Sequence, residues 1–271
     1  MIVALTFGAG LQVNREHLIA ILKDGWLLAR AVLANFVLVP AFGVLLANAF
    51  ALPGPIKTGF LLMAIAPGVP LVLSSVRKRG GSLGLAVALE FLLPLFSIVT
   101  VPITAALVLP QAAEAHLPFG RFFATLVLFQ LLPLLLGMVV GERAPRFAAK
   151  LVRPAQIVFY VALLSLLGLL GPRIAHDVAV VYGSRGMLAM LSLVLLSLFT
   201  GWLLGGPVPA QRRILAIGTA LRNIGLAVLI ATTAFPKMEV AASVLTYLLI
   251  QAVVVTATGI YFARTSKDAA A

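Results

Sequence analysis

Arg222 is the residue of greatest chemical consequence in this sequence. It lies in the run Gly218-Thr219-Ala220-Leu221-Arg222-Asn223-Ile224-Gly225-Leu226-Ala227, inside an apolar span from about Ile214 to Phe235. A charge at that depth is costly in hydrocarbon, so it is turned toward a cavity, an ion path or a partner. The neighbouring glycines let the helix unwind and offer backbone carbonyls and amides to a ligand. A second interruption, Ala66-Pro67-Gly68-Val69-Pro70, falls inside another apolar span, about Ile56 to Val76. Two broken helices in two halves of a membrane chain point to a transporter's binding site. The plainer alternative is two packing kinks and one salt-bridged arginine.

Other polar residues share this depth. Asn35 lies nine residues beyond Trp26, Glu90 nine beyond Gly81, Arg222 nine beyond Arg213, and Pro67 ten before Arg77. At about 1.5 Å per residue, each sits roughly 13 to 15 Å from the same face, near the midplane of the hydrocarbon core. Glu90 and Arg222 are expected to form a buried ion pair, because each relieves the other's desolvation cost. Gln130 and Gln251 also fall near mid-span, where they either line a cavity or bond helix to helix. The site expected from these residues is Asn35, Pro67, Gly68, Glu90, Gly218, Thr219, Arg222, Asn223 and Gln251.

Other chemistries find less support. Gly80-Gly81-Ser82-Leu83-Gly84 matches a serine-hydrolase nucleophile pattern, but it follows a basic loop and opens a membrane helix instead of following a strand. His17, His116 and His176 stand singly in different loops, without metal-ligand spacing. The chain has no cysteine, hence no disulfide or thiolate chemistry. Neither an enzyme nor a resident metal or cofactor is expected.

The elements that position these residues are membrane helices. The 271 residues are 62% hydrophobic and 10% charged, in repeated blocks of about twenty apolar residues. Continuous runs of that kind exclude a β-barrel. Met1 to Val13 is too short to cross alone. Full spans are expected at 26–50, 56–76, 82–109, 122–141, 154–171, 186–206, 212–235 and 240–263. Polar loops are expected at 15–25, 111–121 and 172–185, and a basic loop from Glu142 through Arg153. Eight spans and a leading fragment make about nine segments in one domain, residues 1–271.

Lysine and arginine divide unevenly between the two sides of that arrangement. One side collects Arg15, Lys23, Arg77, Lys78, Arg79, Arg143, Arg146, Lys150, Arg153, Arg212, Arg213, Arg264 and Lys267; the other has Lys57, Arg121, Arg173, Arg185 and Lys237. The richer side is therefore expected to be cytoplasmic, with the C-terminus there, in a cell's inner (plasma) membrane. This also accounts for the net charge of +12 without a nucleic-acid partner. Arg30 lies one turn into its helix and can snorkel to the interface. In each half the broken span is next to last, so residues 1–109 and 121–263 read as inverted repeats, the first incomplete.

On these residues the chain resembles the bile acid:sodium symporter family, over its whole length minus the family's first helix and part of its second. Phe7-Gly8-Ala9-Gly10-Leu11 is similar to the end of that second helix. Ala66-Pro67-Gly68, with Gly80-Gly81 after a basic turn, is similar to the first broken helix. Leu221-Arg222-Asn223-Ile224-Gly225-Leu226-Ala227 is similar to the second. The resemblance implies two helices crossing where they unwind, and sodium-driven uptake of an organic anion. It also implies altered ion sites. The family's Glu-x-Gly-x-Gln-Asn falls on Gly218, Thr219, Ala220, Leu221, Arg222 and Asn223, so its acid is gone and its Gln has become a cation. The family's Ser-Asn pair falls on Val72 and Leu73, and two family hydroxyls on Ala86 and Glu90. Asn35 takes the place of a Gln and, with Asn223, is a remnant able to coordinate sodium.

The sequence is thus read as an all-α, polytopic secondary transporter of a small organic anion, sodium-independent because Arg222 stands where sodium would. Proton-coupled or uncoupled flux through Glu90 is one alternative; a non-transporting receptor or subunit on the same fold is another. Oligomeric state is left open. Single cysteines replacing Lys78, Arg146, Lys150 or Arg212, in this cysteine-free background, are expected to resist an impermeant thiol reagent in intact cells. Labelling at any of them from outside overturns the sidedness at that point.

Overall fold

The computed structural model describes residues 1–13, 19, 25–68, 83–109, 119–183, 185–235 and 237–268. Among these the chain is helical, and seven helices are long and apolar enough to cross a membrane. The described helices, in chain order, are α1 (Ile2–Gly10), α2 (Gly25–Ala49), α3 (Gly54–Ile65), α4 (Leu83–Val108), α5, α6 (Pro145–Gly183), α7 (Gly186–Leu204), α8 (Pro209–Ala220), α9 (Ile224–Ala234) and α10 (Met238–Asp268). Of these, α1 and α3 are too short to be among the seven, and α8 with α9 makes one of them. Helix α5 runs as Phe119–Leu126, Val127–Leu131 and Leu132–Arg143. Helices α8 and α9 are two halves of one interrupted span, Pro209–Ala234. Helix α3 is the described part of the other broken span; Val69 to Ser82, with Val72, Leu73, the Arg77 to Arg79 cluster and Gly80-Gly81, lies outside the described residues.

Proline and glycine explain where these helices stop. Pro67 has no N–H and disfavours helical geometry in the residue before it, so α3 ends at Ile65 and Ala66 is extended (φ −90°, ψ 90°). Gly68 follows at φ 58°, a left-handed conformation that glycine accepts readily. Asn223 caps α9, its Oδ1 accepting from Leu226 N–H at 3.0 Å, and this restarts the helix after an extended Leu221.

Two helices contain a π-helical turn, Leu33–Leu38 in α2 and Val127–Leu131 in α5, each ending two residues before a proline. In α2, Val39 N–H bonds back to Ala34 C=O. The Asn35 carbonyl therefore loses its α-helical donor, and its π-helical donor would be Pro40, which has none. This carbonyl is released from the helix ladder and reappears in the site below.

The expected loop at 172–185 is instead helical through Gly183, and most of the expected basic loop after Glu142 belongs to α5 or α6. Hydropathy reports which residues lipid can cover, whereas helical bonding continues past that limit. Only Ala144, held off the helix by the following Pro145, separates α5 from α6.

Burial sorts the spans. In its most apolar stretch the interrupted span α8–α9 is 89% buried, against 6% for 145–169 in α6, so the broken helix is central and α6 peripheral. Helix α8 packs on α7, α3 on α10, and α1 against α5 and α6. The α1–α5 crossing depends on missing side chains: a Cβ on Gly10 would collide with the Leu134 carbonyl, and one on Gly137 with the Phe7 carbonyl. Backbones this close are typical of small-residue helix contacts in membranes. Gly137→Leu is expected to force α1 from α5 and lower the unfolding midpoint in detergent, whereas Gly168→Leu, beside open space, is expected to leave it unchanged.

Candidate functional site

The two interruptions meet. Asn223 N–H donates to the Ala66 carbonyl at 3.1 Å, a direct backbone bond between the break after α3 and the break between α8 and α9. The observed second break is Leu221 to Asn223; Gly218 and Thr219 stay within α8. Pro67 and Gly68 lie at the first break, immediately beyond Ala66.

Arg222 sits at this crossing with no exposed surface. All five guanidinium N–H groups have oxygens to bond. Nε donates to Met63 C=O at 3.0 Å, and Nη1 to Asn35 Oδ1 at 3.2 Å and Thr219 C=O at 3.4 Å. Nη2 donates to Asn35 C=O at 3.5 Å and to Ala64 C=O. The backbone N–H of Arg222 is taken by Gln251 Oε1 at 2.8 Å.

The origin of these oxygens is physical. Met63 and Ala64 belong to the last turn of α3 and Thr219 to the last turn of α8, where carbonyls lose their i+4 donors and carry the negative end of the helix dipole. Met63 C=O keeps only a bond from Ala66 N–H, shared with Leu62 C=O, at 3.3 Å. The Asn35 carbonyl is the one released by the π turn and Pro40. Asn35 is itself oriented by Nδ2, which donates to Ala31 C=O at 3.0 Å and Thr219 Oγ1 at 3.4 Å, leaving Oδ1 toward the cation. Partial charges from two helix ends, a carboxamide and a π turn therefore surround one permanent cation.

The structure brings together Asn35, Thr219, Arg222, Asn223 and Gln251 of the expected set, but the direct Glu90–Arg222 ion pair is not formed. Every guanidinium N–H is directed at another oxygen. Equal depth places residues in a layer; helix rotation decides which of them touch. Glu90 is buried and instead lines a narrow crevice with Gly68, Ala86, Leu89, Leu93, Ile214 and Gly218. A Cβ on Gly68 would meet Leu93 Cδ1 at 2.6 Å, while one on Gly218 would meet nothing. Gln130 is absent from the crossing: its Nε2 bonds Pro94 C=O at 2.7 Å and Ser97 Oγ at 2.6 Å, joining α5 to α4.

Sequence reasoning missed Met63, Ala64 and Ala66, which act through carbonyls that no residue type advertises. Their signal was positional, the last turn before Pro67. It also missed Tyr247, fully buried one turn before Gln251 on α10, with its ring 6.4 Å from Phe60. Tyr247 OH and Asn223 Nδ2 are buried donors without a hydrogen-bond partner among the described residues. Among these residues no group of His, Cys, Asp and Glu is arranged to hold a metal ion.

Removing the guanidinium would strand several buried carbonyls, each at about 1–3 kcal/mol. Arg222→Met is therefore expected to lower the unfolding midpoint sharply in detergent. Arg222→Lys is expected to restore only part, since one ammonium with three donors cannot reach five oxygens. Equal midpoints for wild type and Arg222→Met would show that the oxygen cage contributes nothing to stability.

The chain is 24% identical to the human P3 protein over 239 residues, 85% of this chain and 49% of that protein. It is 25% identical to the "Uncharacterized sodium-dependent transporter YocS" of Bacillus subtilis over 252 residues, 87% of this chain and 73% of that one. The rice protein named "Probable sodium/metabolite cotransporter BASS3, chloroplastic" is 24% identical over 209 residues, 74% of this chain and 48% of that one. The chain thus spans about half the length of the P3 protein. A profile described as the Sodium Bile acid symporter family matches residues 1–179. This multi-pass, all-helical chain belongs to the sodium bile acid symporter family.

Proposed function

We propose that the protein carries a small organic anion across an inner (plasma) membrane, with the Arg222 guanidinium as the fixed cation of its crossing point. One observation carries the reading: a permanent charge sits in a cage of oxygens drawn from two helix ends, a π turn and Asn35. Such a cage suits a monovalent cation, and here the cation is covalently attached. Arginine is not deprotonated in ordinary conditions, so the charge stays through every turn of the cycle. An anion gains from a nearby cation, from the N-terminal dipole of α9, and from the buried donors Asn223 Nδ2 and Tyr247 OH. Sodium is then unnecessary at this position.

A second reading is favoured by the relatives. The Bacillus protein carries the name of a sodium-dependent transporter, and the rice protein that of a sodium/metabolite cotransporter. On that reading sodium binds near the crossing, with Asn35 or Asn223 among its oxygen ligands. A third places coupling at Glu90, whose carboxyl lines the crevice between Gly68 and Gly218 and exchanges a proton there.

Flux separates them. Purified protein in sealed proteoliposomes is assayed for uptake of labelled small carboxylates at fixed pH and fixed membrane potential. Replacing sodium by choline is expected to leave the initial rate unchanged. A steep rise with sodium overturns the fixed-cation account, a rate set by the proton gradient and lost in Glu90→Gln supports coupling at Glu90, and binding without flux identifies a receptor.

A further inference from the structure

A pair of arginines is brought together away from the crossing, at the end of the bundle where α2 begins, α7 ends and α8 begins. Arg30 lies over the Trp26 ring, its guanidinium carbon 5.0 Å from the centroid, and Arg212 lies over the Trp202 ring at 4.7 Å. Both reach the same residue. Arg212 Nε donates to the Gly206 carbonyl at 2.5 Å, and Arg30 Nη1 would stand 3.1 Å from a Cβ built on Gly206. Gly206 is buried at φ 80°, so glycine both permits the turn and leaves space for Arg30. Among the described residues no carboxylate bonds either guanidinium.

Two like charges held against one glycine repel unless an anion lies between or beside them. The surroundings specify which kind. Trp26 is 69% and Trp202 42% exposed, and Leu203 and Val208 are exposed beside them, so the pair opens sideways onto surface that lipid covers. Tryptophan at a helix end marks the headgroup level of a bilayer, and a guanidinium held over a ring face keeps N–H groups able to meet an oxyanion. Basic pockets between membrane helices at this level hold lipid phosphates. A soluble phosphate offers the same oxyanion but gains nothing from the apolar rim.

We propose that Arg30 and Arg212, framed by Trp26 and Trp202, form a binding site for the headgroup phosphate of an anionic phospholipid that ties the start of α2 to the α7–α8 turn.

The chain's two tryptophans are both in this site, so intrinsic fluorescence reads it directly. The full-length protein is placed in phosphatidylcholine nanodiscs doped with brominated phosphatidylglycerol or, at equal mole fraction, brominated phosphatidylcholine. The brominated phosphatidylglycerol is expected to quench more strongly. Arg30→Gln and Arg212→Gln are each expected to reduce that preference about fivefold, as each basic contact near a membrane surface warrants. Arg146→Gln, exposed at the start of α6, is expected to leave it intact. Arg30→Lys with Arg212→Lys keeps the charge and is expected to retain part of the preference, so the test survives if the neutral variants do not fold. Equal quenching by the two lipids overturns the proposal, as does an equal loss in Arg146→Gln, which would indicate general surface attraction. Loss of the preference on adding inorganic phosphate reassigns the site to a soluble anion and overturns the lipid.

Discussion

A guanidinium shut away from water must find an oxygen for each N–H, and the centre of this protein is arranged around that requirement. No single regular helix can supply five acceptors, because its interior carbonyls are committed to its own ladder. The oxygens come from places where ladders fail: the last turns of α3 and α8, and the π turn of α2. Each irregularity would be a defect alone. Together they are mutually necessary, since the cation needs the carbonyls and the carbonyls, buried at this depth, need donors.

The rest of the bundle follows from holding three such ends within a few ångströms. The crossing must be deep and well covered, and α8–α9 is the most buried of the long spans. Its cover comes from α10, which supplies Gln251 to the Arg222 backbone and brings Tyr247 alongside. Close approach requires small residues, as at Gly59, where a Cβ would meet the Val240 carbonyl at 2.5 Å. Ser243 reinforces that contact by donating its hydroxyl to Ile56 C=O at 3.1 Å.

How much of this could be read from the sequence depended on whether a residue broke a local rule. Arg222 and Pro67 each contradict the span that contains them, and such contradictions mark functional positions. Asn35 was placed by depth, and it touches the cation. Glu90 was placed by the same argument and does not, because a depth carries no information about rotation around a helix axis. Pro40 was visible within its span, but its effect on the Asn35 carbonyl needs the π turn, which propensity does not encode. Carbonyl ligands are invisible in principle, every residue having one. The continuation of α6 through Pro172 was hidden by polar residues that look like a loop and bond like a helix.

The cage around Arg222 also has an electrical consequence on the proposed reading. A cation bound by covalent attachment returns with the carrier, so it moves no net charge over a full cycle. A monoanion carried alone then transfers one negative charge per turn, whereas one accompanied by a sodium ion would transfer none. An interior-negative potential is worth about 2.3 kcal/mol per charge per 100 mV, and it would drive such an anion outward. That corresponds to roughly a fiftyfold concentration ratio at equilibrium, with the lower concentration inside. Replacing a mobile ion by a tethered one therefore does more than simplify a binding site: it exposes transport to a membrane voltage that a one-to-one sodium symport would not feel, and that voltage favours discharge of the ligand from the cell over its capture.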